Sequence, residues 1–107
     1  MNLKTILDNS IIDGIRYSKH NVNICIESIY DKLGLKDNKS EFVKDVVYYL
    51  SHAFVQNKSG FKVVATMNWT KADKMLFNIA FDKNIPITNK QYHDLSKLSN
   101  KIRELIN

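Results

Sequence analysis

Few side chains in this sequence have the type and spacing that chemistry would require. Glu27 with Asp31, and Glu41 with Asp45, are carboxylate pairs four residues apart, so each pair would share one face of a helix. Acid–base catalysis or cation binding could use such a pair. A lysine is adjacent to one acid of each pair, and solvated helix surfaces commonly carry this pattern. We therefore interpret both pairs as surface charge.

The histidines and the cysteine also lack the spacing of a catalytic or metal site. The histidines stand at positions 20, 52 and 93, whereas a zinc site needs several Cys or His residues close together in sequence. Cys25 falls on an apolar helical stripe, where a cysteine is usually an inert core residue. Glycine-rich phosphate loops and the G-x-S-x-G motif are absent from the sequence. We predict a protein that is not an enzyme and that uses neither a metal nor a cofactor.

The composition predicts one mainly helical domain over residues 1–107. The chain is 44% hydrophobic and 25% charged, as in ordinary globular proteins, and it has only one proline and three glycines. A fold with many tight turns would need more of both. The single cysteine rules out an internal disulfide, and the N-terminus does not resemble a signal peptide. We therefore expect a cytoplasmic protein without a membrane span.

Apolar periodicity predicts a compact bundle of about five helices. The first covers residues 3–17, the second begins at Asn21 and ends at Gly34, and the third is capped by Ser40 and stops at residues 57–60. Capping boxes at Thr70–Asp73 and Thr88–Gln91 predict the starts of the last two helices. The expected core comprises Ile26, Ile29, Val46, Leu50, Phe54, Leu76, Ile79, Leu95 and Ile102.

Residues 61–69 interrupt this helical pattern. Apolar residues alternate here with period two, which is typical of a strand. A strand needs a partner, so this one would form a hairpin with residues 52–56 or pair with its own copy in a homodimer. An extended, packed connector is the alternative interpretation of the same pattern.

The positive charge lies in the second half of the chain. Residues 1–57 contain seven Lys or Arg and seven Asp or Glu, whereas residues 58–107 contain nine and four, which accounts for the net charge of +5. Such an asymmetry indicates a face that meets an acidic partner, although lysine used only for solubility is the alternative. The lysines concerned are Lys71, Lys74, Lys83, Lys90, Lys97 and Lys101.

Two aromatic residues are further candidates for partner binding. Tyr48 lies off the main apolar face of its helix, and Trp69 stands just before the helix predicted to start at Thr70. Amphipathic aromatic side chains often anchor protein interfaces, although the same residues can close the end of a core.

The two C-terminal helices also fit the outline of a helix-turn-helix. Their turn contains no glycine, and the second helix would offer mainly lysines for recognition. Lysines alone favour non-specific, salt-sensitive phosphate binding. Nucleic-acid binding through these lysines is therefore our alternative hypothesis.

The leading hypothesis is stoichiometric binding to another protein. In size, basic charge and paired terminal helices, the chain resembles the cytosolic immunity proteins that protect producers of pediocin-like bacteriocins. The resemblance implies a small helical bundle that acts as an inhibitor or immunity factor, of the class found among phage and mobile-element accessory proteins.

Overall fold

The computed structural model describes residues 17–82 and 84–107, and this part of the chain forms four α-helices. The first of the five predicted helices falls outside the described residues, except for Tyr17, which precedes the first described helix. The mainly helical bundle is confirmed, and no described helix is long and apolar enough to cross a membrane. The helices are α1 (Lys19–Lys32), α2 (Glu41–Lys58), α3 (Lys62–Phe81) and α4 (Asn89–Ile106).

Serine side chains start the first two helices. The Ser18 hydroxyl accepts a hydrogen bond from the Asn21 backbone N–H at 3.1 Å, so α1 begins two residues before the predicted Asn21. Ser40 caps α2 as predicted, accepting from the Val43 N–H at 3.4 Å.

Glycines in the left-handed region end α1 and α2, as the sequence predicted. Gly34 has φ 66°, and the Leu35 N–H beyond it donates to the Tyr30 carbonyl at 2.8 Å. This is a Schellman motif, in which glycine avoids the steric penalty that a Cβ would meet. Gly60, with φ 87°, ends α2 by the same arrangement.

Residues 61–69 form neither the predicted strand or hairpin nor an extended connector, because positions 62–69 are the first two turns of α3. The helix is continuous from Lys62 to Phe81. The Thr66 and Thr70 hydroxyls donate to carbonyls four residues earlier, at 2.9 and 2.8 Å, as in an ordinary helix interior. The predicted Thr70–Asp73 capping box is therefore wrong, since Thr70 lies in the middle of α3.

Packing against α2 explains why this segment is helical. The side facing the core carries Ala65 and Ala72, both fully buried, and such small side chains let two helices approach closely. The α2–α3 contact is the most extensive in the bundle. A strand at this position would leave backbone groups unpaired, because the described residues contain no other strand.

α2 is the central helix and contacts each of the other three. The predicted core residues are all buried except Ile26, which is half-buried and packs against the core. The sequence pattern did not identify the wider burial of α2. Its further buried apolar residues are Val43, Val47, Ala53 and Val55.

Hydrogen bonds between side chains and the backbone set the direction of the helices. At one end of the bundle, Asn38, just before α2, donates to the Pro86 carbonyl, just before α4, at 2.6 Å. At the other end, Asn57 of α2 donates to the Leu105 carbonyl of α4 at 3.1 Å. α2 and α4 therefore run parallel, with α3 antiparallel between them in sequence.

The predicted capping box at the start of α4 is confirmed. The Thr88 hydroxyl accepts from the Gln91 N–H at 3.1 Å, and the Gln91 side chain accepts from the Thr88 N–H at 3.0 Å. The same Gln91 side chain donates to the Gly34 carbonyl at 3.0 Å. One residue thus starts α4 and fixes it to the loop between α1 and α2.

Candidate functional site

The three predicted lysines of α4 share one solvent-facing stripe. Lys90 and Lys97 are exposed, and Lys101 is partly exposed. At 100° per residue these positions fall opposite the buried face that includes Leu95 and Ile102. Within this stripe the only ion pair among the described residues joins Lys101 to Glu104 on the same helix, at 3.8 Å.

Trp69 connects α3 to α4 instead of standing at the start of a helix. It is half-buried, and its indole N–H donates to both the backbone carbonyl and the hydroxyl of Ser99, at 2.9 and 3.0 Å. The Arg103 guanidinium lies 5.6 Å from the ring centre. These contacts give Trp69 a structural role in the α3–α4 interface.

Tyr48 belongs to an exposed group of aromatic side chains. Its side chain is 46% exposed, and its ring centre lies 4.2 Å from that of His52. The Tyr17 hydroxyl is hydrogen-bonded to His52 Nδ1 at 2.8 Å, and the Tyr17 ring meets Phe61 edge-on at 6.3 Å. Burial lowers the pKa of His52 below its usual range. We call Tyr17, Tyr48, His52 and Phe61 the aromatic cluster.

The predicted lysines of α3 are on the surface. Lys71 is exposed, and its ammonium lies 5.4 Å from the centre of the Tyr49 ring, within the range of a cation–π contact. Lys74 is exposed and makes no ion pair with a described residue. Lys83 lies outside the described residues.

The side of α3 that faces away from the core carries large apolar side chains that the sequence pattern did not assign to a site. Val63 is 76% exposed, Met67 57%, Phe77 64% and Phe81 74%. The Phe77 and Phe81 rings touch, with their centres 4.9 Å apart. At helical spacing these residues align with two polar positions. We call this surface the outer face of α3; it comprises Val63, Met67, Thr70, Lys74, Phe77 and Phe81.

The outer face makes α3 apolar on two opposite sides. Ala65, Ala72, Leu76 and Ile79 bury the inner side in the core. A helix that is apolar all round is normally covered on every side by protein or lipid. Clusters of exposed apolar side chains on proteins mark interaction sites more often than isolated exposed residues do. The outer face is therefore the surface of the described residues that is best suited to bind a partner.

The carboxylate pairs have separate, local roles. Asp31 forms an ion pair with Lys36 at 3.0 Å, and that hydrogen bond and charge lower the pKa of Asp31. Glu41 and Asp45 lie near Tyr30, where burial and then their negative charges raise the pKa of the phenol. Among the described residues, no group of three His, Cys, Asp or Glu is arranged to hold a metal ion.

An open cleft of about 550 Å³ lies between the end of α3 and the start of α4. Ile79, Ile85 and Tyr92 form part of its wall, and Asp82 and His93 add polar groups. Cys25, the one candidate nucleophile in the sequence, is fully buried in the core. The cleft thus brings together no nucleophile and base in hydrogen-bond contact among the described residues.

Comparison with known proteins adds no relative. No protein-family model, curated protein or solved structure matches the chain.

Proposed function

We propose that this protein acts by stoichiometric binding to another protein, as an inhibitor or immunity-type factor, through the outer face of α3. The observation that supports this proposal is the exposure of Val63, Met67, Phe77 and Phe81 along one side of a well-formed helix. The proposal needs no catalytic group, because binding alone would produce the effect on the partner.

The energy available from the outer face is enough for the core of an interface. Burying a large apolar side chain contributes about 1.5–3 kcal/mol, so the four together would contribute roughly 6–12 kcal/mol. Association itself costs an estimated 4–15 kcal/mol. The apolar side chains therefore need additional polar contacts around them to give tight binding.

Lysines on α3 supply such contacts and define the charge of the partner. Lys74 lies within the outer face, and Lys71 lies beside it. The second half of the chain also carries the entire excess of positive charge. A partner with acidic groups around an apolar patch would match this surface and would associate faster at low salt.

Affinity capture from the cells that express the protein tests the proposal. The wild-type protein is compared with Phe77→Glu and with Leu105→Glu, a matched control that places the same charge on an exposed apolar residue of α4. We expect one partner to co-purify in a fixed ratio with the wild type and with Leu105→Glu, but not with Phe77→Glu. Equal recovery with all three proteins would exclude the outer face as the binding surface.

Nucleic-acid binding is the second candidate, because Lys90, Lys97 and Lys101 form an exposed stripe on α4. This hypothesis predicts DNA or RNA affinity that falls steeply as salt increases. Replacing both Lys97 and Lys101 by alanine should then reduce the salt dependence by up to about two phosphate contacts. Absence of binding at low salt would eliminate this candidate.

A further inference from the structure

We infer that the outer face of α3 binds a single amphipathic α-helix of its partner, with a carboxylate placed against Lys74. This inference rests on the proposed function and specifies the partner's binding element. Its first support is spacing. Successive positions of the outer face are separated by four, three, four, three and four residues, from Val63 to Phe81. This is the spacing of the contact seam between two packed helices.

The shape of the surface favours a helix over a strand or a broad loop surface. A 3–4 spacing forms a narrow stripe along one side of a helix, and a second helix covers such a stripe along its whole length. From Val63 to Phe81 the stripe extends about 27 Å, at 1.5 Å per residue. A partner helix of roughly 19 residues, or about five turns, would match it.

Lys74 determines the charge of the partner helix. It lies near the middle of the outer face and has no carboxylate partner among the described residues. Covering a lysine with apolar side chains removes it from water, which is costly unless an opposite charge compensates. A carboxylate on the partner would supply that charge and would also fix the register of the two helices.

The same lysine disfavours a second copy of this chain as the occupant. In a parallel pair, the two Lys74 side chains would face each other and repel. In an antiparallel pair centred on the face, each Lys74 would lie opposite Thr70, which leaves two cations covered without an anion. An acidic helix from another protein avoids both costs.

Three synthetic peptides of 21 residues provide a defined test. The first has leucine at seam positions and glutamate on the flanks, the second has lysine on the same flanks, and the third is a scrambled version of the first. Binding of each labelled peptide to the full chain is measured by fluorescence anisotropy. We expect saturable binding of the acidic helix, at least ten-fold weaker binding of the basic helix, and none for the scrambled peptide.

Charge reversal separates specific pairing from general attraction. Lys74→Glu should weaken binding of the acidic peptide at least ten-fold and improve binding of the basic one. The control Lys97→Glu makes the same charge change on α4 and should leave both affinities within about two-fold. Equal effects of the two substitutions, or equal binding of acidic and scrambled peptides, would overturn the inference.

The two proposals fail in different ways. A partner that is captured by wild type and lost with Phe77→Glu, combined with no preference among the peptides, would support binding through the outer face but overturn the helical partner. Self-association of the wild type that Phe77→Glu abolishes, measured by sedimentation, would make the occupant a second copy and would also overturn the inference.

Discussion

The indole N–H of Trp69 in α3 points at Ser99 in α4 and donates to both its carbonyl and its hydroxyl, at 2.9 and 3.0 Å. Ser99 is buried, so this bond closes the interface between the two helices away from water. The arrangement explains why a polar aromatic and a serine occur within otherwise apolar packing, since each satisfies the other.

Replacing Trp69 by phenylalanine should lower the free energy of unfolding by about 1–2 kcal/mol, because the buried Ser99 loses its donor. Trp69→Ala should cost more, about 3–5 kcal/mol, because it also leaves a cavity. Urea denaturation followed by far-UV circular dichroism measures both changes. If Trp69→Phe is as stable as wild type, the two hydrogen bonds contribute nothing to the α3–α4 interface.

Ser51 predicts a change of the opposite sign. Its hydroxyl is buried within α2 and has no hydrogen-bond partner among the described residues. Ser51→Ala removes this unsatisfied group and introduces a better helix former, so we expect a gain of up to about 1 kcal/mol. The matched variant Ser99→Ala removes a hydroxyl that is bonded to Trp69 and should be destabilising. Urea midpoints of the two variants that shift in the same direction would contradict this explanation.

His52 should make stability depend on pH. Because burial lowers its pKa in the folded state, the unfolded chain takes up a proton first, near pH 6.5. The contribution is fully present above about pH 6.5 and is lost as the pH falls through the lower folded-state pKa. We expect the stability difference between wild type and His52→Gln to change over this interval in urea titrations from pH 8 to 5. A difference that is constant with pH would show that His52 titrates alike in both states.

The apolar residues of the outer face should contribute little to folding. Phe77→Glu should keep the free energy of unfolding within about 0.5 kcal/mol of wild type, because Phe77 is mostly exposed. Its neighbour Leu76 is buried, and Leu76→Ala should cost about 2–5 kcal/mol. Thermal and urea unfolding of the pair provides the comparison. A large loss with Phe77→Glu would show that this face is covered within the folded chain.

Local chemistry made most helix boundaries predictable. Ser40, Gly34, Gly60 and the Thr88–Gln91 pair each act through the backbone within a few residues, so their effect can be recognised without knowledge of the fold. The core was predictable for a similar reason, since helices with one apolar side show where they pack.

α3 could not be predicted in the same way because both of its sides are apolar. When Val63 and Met67 face outward while Ala65 and Ala72 face inward, the helical period disappears from the sequence, and a short alternation remains. The useful signal was the excess of apolar residues over 61–81, more than one buried side needs. The role of Trp69 depends on Ser99, thirty residues away, and no local pattern indicates it.

Photo-crosslinking tests the binding role of the outer face most directly. The residue p-benzoylphenylalanine would replace Phe77 in one variant and Leu105 in another, and each would be irradiated in the cells that express the protein. We predict a covalent product with one defined partner from position 77 and none from position 105. Products from position 105 alone, or no product from either position, would contradict binding through the outer face of α3.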